Sequence, residues 1–162
     1  MINFTEMIFM GVVATLLMDF LAILLVELKV IRQHIRPESV GRWILYMFRG
    51  KFIHEDINKT QALKIEKSMT FLSHYVIGVA LAGIYLLLEL KVSAIRHQLW
   101  IPILFGIATV ILPWLWMYPS FGLGFLASKT SSKSDYIITS LVNHTNFGLG
   151  LAVWIIVFRP FL

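Results

Sequence analysis

Three side chains carry most of the chemistry this sequence offers: the carboxylate of Asp19 and the imidazoles of His74 and His144. Asp19 is the sole charge in the run Met7–Val26, which is long enough to cross a bilayer. Inserting an ionised carboxylate near the centre of a spanning helix costs roughly 2.5–3.5 kcal/mol, so something must offset it, and such a group is by default a candidate for function. One carboxylate and two imidazoles suit a proton relay, a polar ligand pocket or a metal site with open positions, and the histidines alone suit an axial haem pair. The same groups also suit a hydrogen-bonded cluster that does no more than fix helix packing. No HExxH-type spacing supports a metal, haem would make Asp19 an odd neighbour, and the sequence names no cofactor. With no cysteine, disulfides and thiolate ligands are excluded. Met7, Met10 and Met18 lie loosely along one side of the same run; packing or lipid contact explains them better than a copper(I) path.

The elements that must position these groups are membrane helices. Hydrophobic residues make up 58% of the 162 and mean hydropathy is +0.79, against roughly 45–50% apolar residues in an ordinary soluble domain. Four runs, near 7–27, 70–90, 99–118 and 137–158, are long enough to span, at about 20 residues per crossing. The first carries Glu6 and no preceding Lys or Arg, and no small-x-small cleavage site follows, so it is expected to be retained rather than cleaved as a signal peptide. Of the 14 Lys and Arg residues, nine fall in the loop 28–69 and two in the loop 119–136. The other three, Lys91, Arg96 and Arg159, fall on the opposite side. The positive-inside rule then predicts loops one and three in the cytoplasm and both termini outside. Asn58-Lys-Thr60 would be a silent glycosylation acceptor there.

Each span bears small or polar residues at helical spacing. They are Gly11, Thr15, Asp19 and Ala22; His74, Gly78, Leu81 and Tyr85; Pro102, Gly106, Thr109, Pro113 and Trp116; and Ser140, His144, Gly148 and Ala152. The last span carries a second stripe, Thr139, Asn143, Asn146 and Gly150. Small residues let membrane helices approach closely, and polar ones bond across the contact. Two such faces predict that the last helix is the most buried. The fold class expected is all-α: a four-transmembrane-helix bundle forming one domain over residues 1–162. Counted from the cytoplasmic ends of the predicted spans, Asp19, His74 and His144 lie about 6–12 Å deep. They could therefore share a site, with Thr15 on the Asp19 stripe and Asn143 on the second stripe of the last span.

In the first loop Val40, Trp43, Ile44, Met47 and Phe48 follow amphipathic spacing, with Pro37 and Ser39 to start a helix and Gly50 to end it. The spacing predicts an interfacial helix near 39–49, lying on the membrane surface among anionic lipid headgroups. Arg42, Arg49 and His54 are the candidate headgroup or anionic-ligand contacts, and a lid over the polar site is the alternative use. Residues 60–67 look like a cytoplasmic extension of the second span. In Pro113-Trp-Leu-Trp-Met-Tyr-Pro119 two prolines predict a broken helix, its aromatics serving either as an interface belt or as a cavity lining. Phe121–Ala127 reads as a kinked continuation.

The chain resembles domain-of-unknown-function family 2938, small bacterial inner-membrane proteins. The resemblance rests on Gly11-Val-Val-Ala-Thr15 with Met18-Asp19; on Gly41-Arg42-Trp43, Arg49-Gly50-Lys51-Phe52 and His54; on His74-Tyr75 and Ile77-Gly78; on Met117-Tyr-Pro119 with Gly122 and Gly124; and on His144 with Phe147-Gly148-Leu-Gly150. It spans nearly the whole chain. Where the family pattern continues Ser-x-Thr with proline, Ser128-Lys-Thr130 is followed by Ser131, which predicts a differently bent loop. The resemblance implies a bacterial inner membrane and a helical fold, and it brings no activity. The function expected is the handling of a proton or small polar ligand at the Asp/His site, by a carrier or permease subunit. A metal- or haem-dependent membrane enzyme and a structural accessory subunit are the alternatives. The expected partners are the bilayer, anionic headgroups and further copies of the chain, with no nucleic acid.

Overall fold

The computed structural model describes residues 3–95 and 98–161; Arg96, one of the three opposite-side charges counted above, lies outside them. Four helices are long and apolar enough to cross a membrane: α1 (Phe4–Glu27), α3 (Glu66–Lys91), α4 (Trp100–Ser120) and α5 (Lys133–Phe158). A shorter helix, α2 (Pro37–Met47), lies in the first loop. This is an all-helical membrane protein. Phe20, Phe71, Leu104 and Ile156 are each more than half exposed, the outward apolar surface that lipid would cover.

Close backbone approach at glycine organises the bundle. A Cβ on Gly11 would meet the backbone of Gly78 and Val79, which seats α1 on α3. A Cβ on Gly150 would run into Ala14, which seats α5 on α1. Gly106 and Gly148 face each other's helices and seat α4 on α5. The two stripes of α5 thus serve two partners, Gly150 facing α1 and Gly148 facing α4, and α5 is the most buried of the four spans. The apolar core between them is Met10 and Ala14 of α1, Ala82, Tyr85 and Leu86 of α3, and Phe147, Leu151 and Trp154 of α5. All neighbours run antiparallel, so α1 and α4 start, and α3 and α5 finish, at one end, here the terminal end. The other is the loop end.

At the loop end α2 forms where the sequence predicts it and also packs on the chain's own loops. The helix has proline in its first turn. Trp43 is buried and packs with Ile57 and Phe121, supported by Val40, Ile44 and Met47. The Trp43 indole N–H donates to the Phe52 carbonyl at 2.9 Å. Gly41 abuts the start of α3, its N–H donating to Thr70 Oγ1 at 2.9 Å. Most of the apolar face thus meets the chain's own loops, while Phe48 at its end stays 79% exposed. Two expectations fail here. Residues 60–65 are not helical; α3 begins at Glu66. Phe121–Ala127 is a folded loop rather than a continuation of α4, because Gly122, Gly124, Leu126 and Ala127 all take positive φ, which no helix continues through. Gly122 is required there, since a side chain would strike the Glu55 carbonyl.

The break in α4 is real and mild. Pro113 opens a π-helical turn through Met117. Its aromatics do not form a belt. Trp114 donates to Ser140 Oγ of α5 at 2.7 Å, and buried Tyr118 donates to the Tyr136 carbonyl at 3.0 Å. Only Trp116 stays outward, 55% exposed, its ring edge-on to Trp43 at 5.4 Å.

Candidate functional site

Asp19 and His74 meet across the α1–α3 contact, His74 Nε2 standing 3.0 Å from Asp19 Oδ1. An ionised carboxylate only accepts, so Nε2 carries the proton of this bond. The Tyr75 hydroxyl donates to the other oxygen, Oδ2, at 3.4 Å. Helical spacing explains the meeting. Gly11 lets α1 approach α3, and one face of α1 then carries Gly11, Thr15 and Asp19 past Gly78 to His74. Both side chains are about two-fifths exposed, 41% for Asp19 and 39% for His74. The pair therefore sits at the margin of the helix contact, not sealed inside the bundle. Measured from Glu27 and from Glu66, the two residues lie about 12 Å along their helices.

His144 is held elsewhere, on the α4–α5 contact. Its Nδ1 is 2.7 Å from Thr109 Oγ1, which is itself 2.6 Å from the Gly106 carbonyl. A carbonyl only accepts, so the hydroxyl proton lies in the bond to Gly106, and Oγ1 must accept from Nδ1–H. That fixes the tautomer and leaves Nε2 of His144 a bare base. No hydrogen bond joins His144 to Asp19 or His74. The structure thus brings two of the three expected site residues into contact and gives the third a partner, Thr109, that spacing alone did not name. Among the described residues no three His, Asp or Glu side chains gather closely enough to share a metal ion.

Thr15 and Asn143 have other placements. Thr15 is buried, donates to the Gly11 carbonyl at 2.8 Å and fills the space beside Gly78; it is a packing residue of the same face. Asn143 Oδ1 and Asn146 Nδ2, on the α1-facing stripe of α5, are buried without a hydrogen-bond partner.

Of the three loop residues expected to meet anions, two are engaged internally. Arg42 makes a two-pronged bond to Glu66, Nε to Oε2 at 2.8 Å and Nη2 to Oε1 at 3.0 Å. Its Nη1 reaches the carbonyls of Ile57 and Thr60 at 3.0 and 3.1 Å. It is a clamp on the loop, not a free cation. His54 is buried, its Nδ1 3.0 Å from Thr60 Oγ1 and its Nε2 without a partner. Arg49 alone is exposed, over the Tyr46 ring. Burial first, and then the charge of Lys51, hold His54 below its ordinary value of 6.5. A base whose folded pKa is depressed charges first in the unfolded chain, so the loop end should lose stability as pH falls below about 6.5. The chain has no cysteine, so the labelling rate of buried Ile57→Cys reads that opening directly. Expressed relative to an exposed Lys59→Cys, which cancels the fall in thiolate at low pH, that rate should rise from pH 7.5 to pH 5 in the parent and stay flat in His54→Gln.

One polar cluster escaped the sequence reading altogether. At the terminal end Arg159 donates through Nε to Glu6 Oε1 at 2.6 Å, and through Nη1 and Nη2 to the Glu89 carboxylate at 3.2 and 2.9 Å. All three side chains are at most one-fifth exposed. Burial pulls the Arg159 pKa down, but the hydrogen bonds and charges of Glu89 and Glu6 outweigh it, and the net shift is upward. This group ties together the start of α1, the end of α3 and the end of α5.

A family model described as "Protein of unknown function (DUF2938)" matches residues 8–157. No curated protein and no solved structure matches the chain.

Proposed function

The chain belongs to the DUF2938 family of proteins of unknown function, and on that footing we propose that it handles a proton or a small polar ligand at the Asp19–His74 pair. One observation carries this reading. Glu66 and Glu89 are held by arginines, which stay protonated, whereas Asp19 is held by an imidazole that can give its proton up. A carboxylate and an imidazole sharing one bond inside an apolar span can take up, hold and release a proton. The open margin of the pair leaves an approach for it. His144, whose Nε2 makes no hydrogen bond, is the next candidate acceptor across the bundle. A carrier or permease subunit fits this chemistry, and a second copy packed against the margin would seal the site from lipid.

The test uses the whole protein in liposomes loaded with a pH-sensitive dye, under a potassium diffusion potential. Asp19→Asn keeps shape and hydrogen bonding but cannot ionise. It should leave thermal stability within about 1 kcal/mol, as volume-conserving changes usually do, and reduce proton entry to that of empty liposomes. Unaltered entry in Asp19→Asn would reject the reading. A second reading has its own support: His74 and Tyr75 between them occupy both carboxylate oxygens, as a pin between α1 and α3 would require. A pin tolerates Asn in every assay, while Asp19→Ala costs about 1–3 kcal/mol by stranding its partners.

A further inference from the structure

We propose that the hook Phe48–Ile53 anchors the loop end to the membrane surface, holding an anionic phospholipid headgroup at Arg49 and Lys51 while Phe48, Phe52 and Ile53 enter the acyl boundary. The hook is made by Gly50, whose φ of 78° ends α2 and folds Lys51 back so that its N–H donates to the Tyr46 carbonyl at 2.9 Å. Only a residue without a Cβ takes that conformation freely. The fold-back places two cations on one ring, Arg49 at 5.7 Å and Lys51 at 5.8 Å from the Tyr46 centroid. Neither pairs with a carboxylate among the described residues, and the buried His54 imidazole lies edge-on to the same ring at 5.3 Å. Two cations within reach of one ring, neither with a carboxylate partner among the described residues, leave positive charge open to an anion.

The apolar residues say which anion. Phe48 is 79%, Phe52 54% and Ile53 72% exposed, a contiguous apolar tip that water disfavours and a bilayer accepts. Its level along the bundle is that of the membrane boundary. The N–H of His54 donates to the carbonyl of Ser120, the last residue of the α4 span, at 2.8 Å. The buried Trp43 also ties the tip to α4, its ring against the outward Trp116 and its indole N–H donating to the Phe52 carbonyl. Apolar side chains beside unpaired cations at that level match a phospholipid with a net negative headgroup.

Because the chain has no cysteine, a spin label on Phe48→Cys reports depth without interference, with a label on the exposed Lys59→Cys as the aqueous reference. In bilayers containing phosphatidylglycerol, the label at 48 should collide with oxygen in preference to a water-soluble nickel chelate, and the label at 59 should do the reverse. Retention of phosphatidylglycerol through delipidation, read by native mass spectrometry, should fall about fivefold for each cation removed in Arg49→Gln and Lys51→Gln. Three results would overturn the proposal: a label at 48 as open to nickel as the label at 59, equal retention of phosphatidylcholine, or displacement of the lipid by inorganic phosphate.

Discussion

Replacing Arg159 by alanine should cost the bundle about 3–5 kcal/mol, the range for removing one partner of a buried ion pair. The loss comes less from the bonds themselves than from what is left behind. Glu89 is 5% exposed and Glu6 17% exposed at the side chain, so two carboxylates would remain next to each other with little water and no counter-charge. Denaturant unfolding in detergent micelles, followed by helical circular dichroism, measures the effect. Arg159→Met combined with Glu89→Leu and Glu6→Gln should recover most of it, because an apolar contact of similar volume needs no desolvated charge. If Arg159→Ala costs less than about 1 kcal/mol, the cluster is hydrated like a surface pair and the fastening role is wrong.

Arg42→Ala should have a comparable effect, again about 3–5 kcal/mol, but confined to the loop end. Arg42 and Glu66 are each 11% exposed, and the same guanidinium also caps the carbonyls of Ile57 and Thr60. Its removal strands one carboxylate and two carbonyls together. Residues 51–65, which have no helix of their own, should become the first sites of limited proteolysis, while the helical signal of the four spans changes little. Arg42→Lys should not rescue, since an ammonium cannot span both Glu66 oxygens and the loop carbonyls at once. Full protease resistance in Arg42→Ala would show that the Trp43–Ile57–Phe121 core holds the loop unaided.

These two clusters mark where the sequence stops being legible. The spans were readable because a long apolar run has few other uses, and the Gly11, Gly78, Gly106, Gly148 and Gly150 contacts because small residues at helical spacing have a geometric meaning. Asp19 drew attention by being out of place, and the depth argument led to His74. His144 was found as a residue but not as a partnership. Which helix faces which cannot be read from one chain, and Thr109 looked like one more small residue of its stripe. Arg42 and Glu66 look like any loop charges until the fold brings them together. Glu6, Glu89 and Arg159 sit at span ends, where charges are ordinary. The periodicity of α2 marks its apolar face but not that Ile57 and Phe121 pack on Trp43 there, because an apolar face reads the same whatever covers it. Leu126 and Ala127 gave no warning of positive φ, since neither residue type favours it.

The position of α5 between α1 and α4 has a consequence for how the protein is made. Spans leave the translocon in chain order, and α1 and α3 can pair as soon as both are in the bilayer, because Gly11, Gly78 and the Asp19–His74 bond need nothing synthesised later. Helix α4 has a weaker early seat: Phe105 meets Tyr85 of α3 and Trp116 meets Trp43 of α2, but the glycine contact that holds it is with α5, as are the bonds from Trp114 and Thr109. Until the chain beyond Lys133 is inserted it lacks its main packing partner, with the face of Gly106 uncovered and the Trp114 N–H unpaired. A chain inserted only as far as the loop 121–132 would therefore hold a paired hairpin beside a loosely seated helix, the form most open to capture by an insertion chaperone or a membrane protease.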